Sequence, residues 1–200
     1  MKSKFNISKI KAEKIVLREK KTIDTFIKKH LFNSRDPLTL ILKVHLYIEI
    51  CLDQIITSVL PKPNKIIRKR FADKVDFFEA LGLPPDDGIL IEKIRTINNM
   101  RNAFAHNLNK KLNLKDIQPL LKNIKVKSNK TIRAKLKDGL VEVVGYLHCL
   151  KVMNRLFPFL MSWLRNKEIY KKDKGYHQRK IIDTYPFEEL KEILENLKME

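Results

Sequence analysis

The nine-residue segment 98–106, NNMRNAFAH, combines an arginine and a histidine with three asparagines. An arginine guanidinium stays charged at physiological pH and binds carboxylates or phosphates through paired hydrogen bonds. A histidine imidazole gains and loses a proton near neutral pH, so it serves as a general acid or base. The segment therefore contains residue types for binding an anion and for transferring a proton, and Arg101 and His106 are the central candidates.

Arg101 lies at a helix position where a leucine is expected. Apolar residues recur every three or four positions on either side of it, which is typical of an amphipathic helix with one buried face. The series is Leu90, Ile94, Ile97, Arg101, Phe104 and Leu108. Because a guanidinium does not lose its charge in a protein, burial on this face requires a carboxylate, a phosphate or a polar interface beside Arg101.

A second predicted helix supplies a carboxylate for that arginine. Its apolar stripe is interrupted at two positions, in the series Leu38, Leu42, His45, Glu49, Leu52 and Ile56. If the two interrupted faces pack together, we expect Glu49 to pair with Arg101 and His45 to lie one turn away. Loss of either charged partner would then leave a buried charge, at a cost of roughly 3 to 5 kcal/mol.

The histidine of the segment belongs to a different face of the helix. Five residues rotate an α-helix by about 140°, so Arg101 and His106 do not share a face. Asn98, Asn102 and His106 are spaced by four and form a polar stripe, in which Asn102 is placed to orient the imidazole. Two arrangements would unite the arginine and the histidine: fraying of the helix end, or a second copy of the protein across a two-fold axis.

The composition of the 200-residue chain predicts an all-α fold. Hydrophobic residues make up 44% of it, glycine occurs only five times, and leucine, isoleucine, lysine and glutamate dominate. The two longest apolar stretches, residues 37–60 and 140–164, contain too many charged residues for membrane spans. Since the N-terminus also lacks an apolar run of signal-peptide length, we expect a cytoplasmic protein with no membrane partner.

Neither cysteine of the chain belongs to a metal-binding pattern. Cys51 and Cys149 lie among apolar neighbours, without a second cysteine or a histidine at ligand spacing. We therefore expect two reduced, buried thiols, no metal and no cofactor.

The formal charge of +19 is concentrated in three segments. Residues 1–30 carry +7, residues 110–137 carry +9 and residues 165–180 carry +5, which leaves −2 for the rest of the chain. Basic segments around a nearly neutral core are typical of proteins that bind polyanions, and nucleic acid is the partner we expect. A nucleotide-biased genome that favours lysine, isoleucine and asparagine is the competing explanation.

The elements follow one another in a simple order. Helices are predicted over residues 8–30, 37–60, 65–81, 115–122, 140–166 and 186–198, with the motif helix after Gly88. Asp36 is the expected N-cap of the second helix and Pro37 its first residue. The pattern of residues 123–138 is compatible either with irregular backbone or with a short strand. We divide the chain into a basic helix (1–34), a helical bundle (35–166) and a basic link with an acidic helix (167–200).

The motif and its context resemble the HEPN domains. Asn98, Arg101, Asn102, Ala105 and His106 are similar to the R-x4-6-H motif of that family, including the polar residue after the arginine. The upstream stretches HLYIEICLDQII and FADKVDFFEALGL resemble the preceding helices in the branch related to the mannitol operon repressor. The resemblance covers residues 37 to 110 and excludes the basic N-terminus and the last 35 residues.

The resemblance implies a dimeric helical bundle that in active members is a metal-independent endoribonuclease, often of a toxin–antitoxin or phage-defence system. It assigns catalysis to Arg101, His106 and Asn102, and supporting roles to Glu49, His45 and Asn98. RNA and a second copy of the chain are the implied partners, and an acidic antitoxin or regulatory protein is a further candidate. A non-catalytic regulator or adaptor with the same polar network, binding nucleic acid or an acidic protein, remains the alternative function.

Overall fold

The computed structural model describes residues 2–82, 88–107 and 110–166, with side chains described between residues 14 and 156 except Phe32. Within these ranges the chain forms seven α-helices and no strand, so the all-α prediction is confirmed. The chain divides into two compact units, Met1–Pro158 and Phe159–Glu200, and the side-chain contacts below belong to the first. The acidic helix predicted over 186–198 lies outside the described residues.

The helices are α1 (Lys2–Phe26), α2 (Pro37–Val59), α3 (Asn64–Ile67), α4 (Phe71–Ala80), α5 (Ile89–His106), α6 (Leu114–Ile117) and α7 (Ile132–Asn166). A π-helical turn, Ile27–Phe32, follows α1, and a 3-10 turn, Gln118–Leu121, follows α6. None of the described helices has the length and hydropathy needed to cross a membrane.

Helix α2 begins as its sequence predicts. The Asp36 carboxylate accepts hydrogen bonds from the backbone N–H groups of Leu38 and Thr39, at 3.3 and 2.7 Å, and from the Thr39 hydroxyl at 2.6 Å. These bonds satisfy N–H groups that have no partner within the helix, and the bond from the Thr39 side chain is the largest reason that the pKa of Asp36 is lowered. Pro37 occupies the first helical position, where its missing N–H costs nothing.

The core is formed mainly by α2, α5 and α7. Helix α2 is buried over a broad arc because α4 and α5 pack on one side of it and the π-helical turn on another. Apolar side chains from the three helices meet in one continuous cluster. Its fully buried members include Leu40, Ile41, Val44, Ile48, Leu52, Ile56, Ile94, Ile97, Leu136, Leu140, Val143 and Leu147.

Three predicted helix boundaries are wrong. The first helix begins at Lys2 rather than at residue 8. The helix expected over 65–81 is broken, because Arg70 adopts an extended backbone and α4 starts a new axis that brings Phe71 against the core. The last long helix begins at Ile132 rather than near residue 140, since Leu136 already lies in the core. Residues 123–131, left open between a strand and irregular backbone, form turns and irregular backbone.

A buried polar network attaches α1 to α7. Glu19 forms ion pairs with Lys151, at 2.7 Å, and with Arg155. Burial acts to raise the pKa of Glu19, but these cations outweigh it and the pKa is lowered. Beside them the Tyr47 hydroxyl and His148 Nδ1 share a hydrogen bond of 2.5 Å, and burial lowers the pKa of His148 to about 4. The basic N-terminal helix α1 is therefore attached to α7 through the Glu19 carboxylate, which lies among several cations.

Two glycines of α7 give a matched test of packing. A Cβ on Gly139 would lie 2.9 Å from the Leu120 Cβ, whereas a Cβ on Gly145 would have no heavy atom within 4 Å. Alanine is favoured over glycine inside a helix by roughly 0.5 to 1 kcal/mol, so Gly145→Ala should raise the free energy of unfolding by that amount. Gly139→Ala should lower it by about 1 to 3 kcal/mol because of the overpacking.

Urea denaturation of both variants, followed by circular dichroism, measures this difference. Equal midpoints for Gly139→Ala and Gly145→Ala would contradict the close approach of α7 to the 3-10 turn.

Candidate functional site

Helix α5 carries the predicted site residues and is regular up to its last residue. It begins after Gly88, which has a left-handed backbone with φ of 78°, and ends at His106. The N–H of Asn107 still donates to the carbonyl of Ala103 at 3.1 Å before the backbone becomes extended. Because the helix is intact through His106, fraying does not bring this histidine towards Arg101.

Arg101 is exposed, so the prediction that it lies in a buried seam is wrong. Its Nη1 donates to Asn102 Oδ1 at 2.9 Å. The preceding seam residues, Ile94 and Ile97, are fully buried, but Arg101 and Ala105 on the same side are exposed. Farther along α5, Met100 and Phe104 are still buried, so the neighbouring elements leave uncovered the side of the helix that carries Arg101 and Ala105.

The carboxylate of Glu49 pairs with a lysine instead of Arg101. Lys74, on α4, is only 3% exposed, and its Nζ lies 2.9 Å from Glu49 Oε1 and 2.8 Å from Asp53 Oδ1. Burial acts to lower the pKa of Lys74, but the hydrogen bonds to Asp53 and Glu49 outweigh it and the pKa is raised. The predicted Arg101–Glu49 pair is therefore replaced by a buried lysine bridging two carboxylates of α2.

The patterns of the motif helix and α2 do not identify Lys74, because this residue lies on α4. A signal for it exists in the sequence, since Phe71, Lys74, Val75 and Phe78 are spaced by three, one and three and share one helix face. A lysine inside such a stripe indicates a buried cation in the same way as Arg101 does. Of these two cations, Lys74 is buried and Arg101 is exposed.

His45 joins α2 to α5 next to this ion pair. Its Nε2–H donates to Asn98 Oδ1 at 3.2 Å, and its ring stacks on Phe71 with centroids 4.1 Å apart. Burial is the main reason that the pKa of His45 is lowered, and the nearby charge of Arg101 lowers it further, against the opposing effect of Glu49. His45 is thus a neutral core histidine, and the contact with Asn98 fixes how α2 and α5 pack.

Within one copy, the candidate catalytic groups do not converge. His106 is exposed, about 7.5 Å farther along the axis than Arg101 and rotated by about 140°. Asn102 lies between them and bonds to the guanidinium rather than to the imidazole. One end of α5 therefore presents an anion-binding group and a proton-transfer group on different faces. In the described part of the chain, no three histidine, cysteine or acidic side chains are grouped to hold a metal ion.

Helix α2 also carries an exposed apolar stripe. Leu42, Leu46 and Ile50 are spaced by four on α2 and point to solvent, and we call them the α2 stripe. His45, which senses the charges of both Arg101 and Glu49, lies on the same helix between Leu42 and Leu46. A contiguous exposed apolar surface on a helix indicates an interaction site.

Comparisons with models of known protein families, with curated proteins and with solved structures find no match to this chain.

Replacing Lys74 by methionine tests the ion pair. Glu49 and Asp53, one turn apart on α2, would face each other without a cation, but they are 33% and 35% exposed, so water screens them in part. We expect the free energy of unfolding at neutral pH to fall by about 1 to 3 kcal/mol. Lys69→Met, at an exposed lysine, should change it by less than about 0.5 kcal/mol.

The pH dependence follows from the raised pKa of Lys74. Its contribution to stability is fully present below the pKa of an unfolded lysine, about 10.4, and is lost as the pH rises through the folded-state value. The difference between wild type and Lys74→Met should therefore shrink in alkaline buffer. A difference that grows there would mean that Lys74 is not held as a cation.

Proposed function

We propose that the protein is a metal-independent endoribonuclease of HEPN type that acts on RNA as a homodimer. Arg101 stabilises the charge that develops on the reacting phosphate, His106 transfers protons, and Asn102 orients the guanidinium. A toxin or phage-defence effector is the biological role that accompanies this activity in the resembling family.

The observation that carries the proposal is the exposure of Arg101. Among the described residues no carboxylate pairs with its guanidinium, which bonds to the neutral side chain of Asn102. An arginine that is oriented but not neutralised keeps its remaining N–H donors for an external anion. The +9 charge of residues 110–137 favours a polyanion as the source of that phosphate.

Glu49, His45 and Asn98 support this arginine without contacting substrate. The hydrogen bond from His45 to Asn98 fixes the packing of α2 on α5 one turn before Arg101. Glu49 is held by Lys74, which keeps its charge away from the guanidinium. Their role in the proposal is to position Arg101.

The reaction uses the 2′-hydroxyl of the RNA itself. One imidazole takes the proton of this hydroxyl while its oxygen attacks the adjacent phosphorus, and the bond from phosphorus to the 5′-oxygen breaks. A second imidazole, protonated at the start, gives its proton to the leaving 5′-oxygen. The products are a 2′,3′-cyclic phosphate and a 5′-hydroxyl, so DNA is not a substrate.

A second copy of the chain supplies the second imidazole that the proposed reaction requires. The two steps use two imidazoles, and a single chain presents one His106 on a different face from Arg101. A two-fold axis near the end of α5 would bring both arginines and both histidines to one groove. The α2 stripe, on the helix that packs against α5, is the apolar surface on which such a partner would be held.

A non-catalytic regulator is the second candidate, and it is favoured by the separation of Arg101 and His106 within one copy. Such a protein would bind a polyanion through the same exposed arginine without transferring a proton.

An RNA cleavage assay in EDTA distinguishes the two candidates. Wild type should produce fragments that end in a 2′,3′-cyclic phosphate, whereas Arg101→Ala and His106→Ala should cleave about 10²- to 10⁴-fold more slowly. Both residues are exposed, so neither substitution should change the free energy of unfolding by more than about 0.5 kcal/mol.

Arg95→Ala is the matched control for the cleavage assay. Arg95 is an exposed arginine of the same helix that is paired with Asp76 and Glu79, and its loss should leave cleavage unchanged. Intact RNA with every folded variant, wild type included, would reject the nuclease and favour the regulator. DNA of the same sequence should remain intact throughout.

The dimer is tested at the α2 stripe. Leu46 is 59% exposed, and Leu46→Glu should convert a dimer into a monomer and abolish cleavage, because it places a charge in the apolar contact. Leu17, 54% exposed on α1, provides the control Leu17→Glu, which should remain dimeric. If analytical ultracentrifugation finds only monomeric wild type at high concentration, the site shared between two copies is rejected.

A further inference from the structure

A cleft of about 340 Å³ opens beside the end of α5. It lies between the start of α2, the end of α5, the segment after α5 and the start of α7. Its principal lining residues, which define the α5-end cleft, are Leu38, Phe104, Lys111, Leu112, Ile132 and Arg133. The volume is in the range of sites that enclose a small organic ligand.

The cleft combines an apolar wall with two available cations. Lys111 and Arg133 are both exposed, and neither is paired with a carboxylate in the part of the chain that the structure describes. One nitrogen of Arg133 donates to the Ser34 carbonyl at 3.2 Å, which orients the guanidinium and leaves its other donors for a ligand. The apolar part of the lining, called the apolar wall here, consists of Leu38, Leu112, Ile132 and the buried Phe104.

The other charged groups at the cleft already have partners. The Asp36 carboxylate accepts the N-terminal hydrogen bonds of α2 and the Thr39 hydroxyl. Lys110 pairs with Asp116 at 3.0 Å. Lys111 and Arg133 outnumber the Asp36 carboxylate, so the net charge of the lining is positive, and the start of the long helix α7 at Ile132 adds to it.

The position of the cleft relates it to the proposed active site. Phe104 lies three residues after Arg101 and two before His106 on the same intact helix. These steps correspond to about 4.5 and 3 Å along the axis. Because three residues also rotate the helix by about 300°, Phe104 is about 60° from Arg101 around the axis, and the cleft lies at the same end of α5 on a neighbouring face.

We propose that the α5-end cleft binds one nucleotide of a single-stranded RNA, with its base on the apolar wall and its phosphate at Lys111 and Arg133. This subsite rests on the proposed ribonuclease function, because it holds the nucleotide next to the one whose phosphate is attacked. Unstacked bases pack on apolar and aromatic surfaces, and phosphates bind arginine and lysine. The +9 charge of residues 110–137, the segment that contains both cations, favours a polyanion such as RNA over a short acidic peptide.

The first measurement is RNA binding to full-length His106→Ala protein, which does not cleave in the proposed mechanism. A fluorescein-labelled single-stranded RNA of mixed sequence is titrated at fixed salt, and anisotropy reports the dissociation constant. Adding Lys111→Glu should weaken binding about tenfold or more, through loss of one phosphate contact and repulsion of the chain. Lys127→Glu makes the same charge change at an exposed lysine of the same basic segment outside the cleft, and should weaken binding less than about threefold.

The second measurement locates the base. RNA that contains 4-thiouridine is photo-crosslinked to the same protein, and mass spectrometry should find adducts at Phe104, Leu112 or Ile132. Equal weakening by Lys111→Glu and Lys127→Glu, adducts confined to other segments, or absence of RNA binding at low salt would each overturn the subsite. Displacement of the RNA by an acidic peptide with loss of the adducts, when neutral peptide has no effect, would assign the cleft to a protein partner instead.

The subsite and the nuclease fail in different ways. Cleavage that depends on Arg101 and His106 but not on Lys111 would reject the subsite and keep the enzyme. Binding that depends on Lys111, with adducts in the cleft and no cleavage by wild type, would keep the subsite in a non-catalytic RNA-binding protein.

Discussion

The ion pair of Lys74 with Glu49 and Asp53 is the interaction on which the candidate site depends. A cation buried to this extent must be compensated, and two carboxylates of α2 provide the compensation. Because Glu49 is directed to α4, its charge does not neutralise Arg101 on α5. The arginine emerges into solvent beside Asn102, where it is available to an anion from outside the chain.

The two halves of α5 have different physical roles. The first half is a core element, since Leu90, Ile94 and Ile97 pack against the rest of the bundle. In the second half Phe104 is still buried while Arg101 and His106 face solvent, and the helix remains hydrogen-bonded to its last residue. Groups at this end are therefore held on a rigid element while facing solvent, which suits binding and catalysis better than a loop does. The α5-end cleft adjoins this same end, and the α2 stripe lies on the helix that packs against α5.

Much of the fold is predictable because local rules decide it. Asp36 and Pro37 begin α2 where the capping pattern requires, and the period of the apolar residues identifies α2 and α5. The break at Arg70 and the early start of α7 at Ile132 are not predictable in this way. Both depend on which side chains reach the core, and the residues around them are equally compatible with a continuous helix or a turn.

For the site, the sequence by itself determined which side chains share a helix face: Arg101 on the apolar seam of α5, and His106 on another face. Tertiary structure decided that Glu49 pairs with Lys74, that Arg101 is exposed, and that Lys111 and Arg133 meet beside Phe104. The physical reason is that helix periodicity relates residues within one element. Burial and ion pairing depend on which neighbouring element covers that face, and on how far along the helix the cover extends.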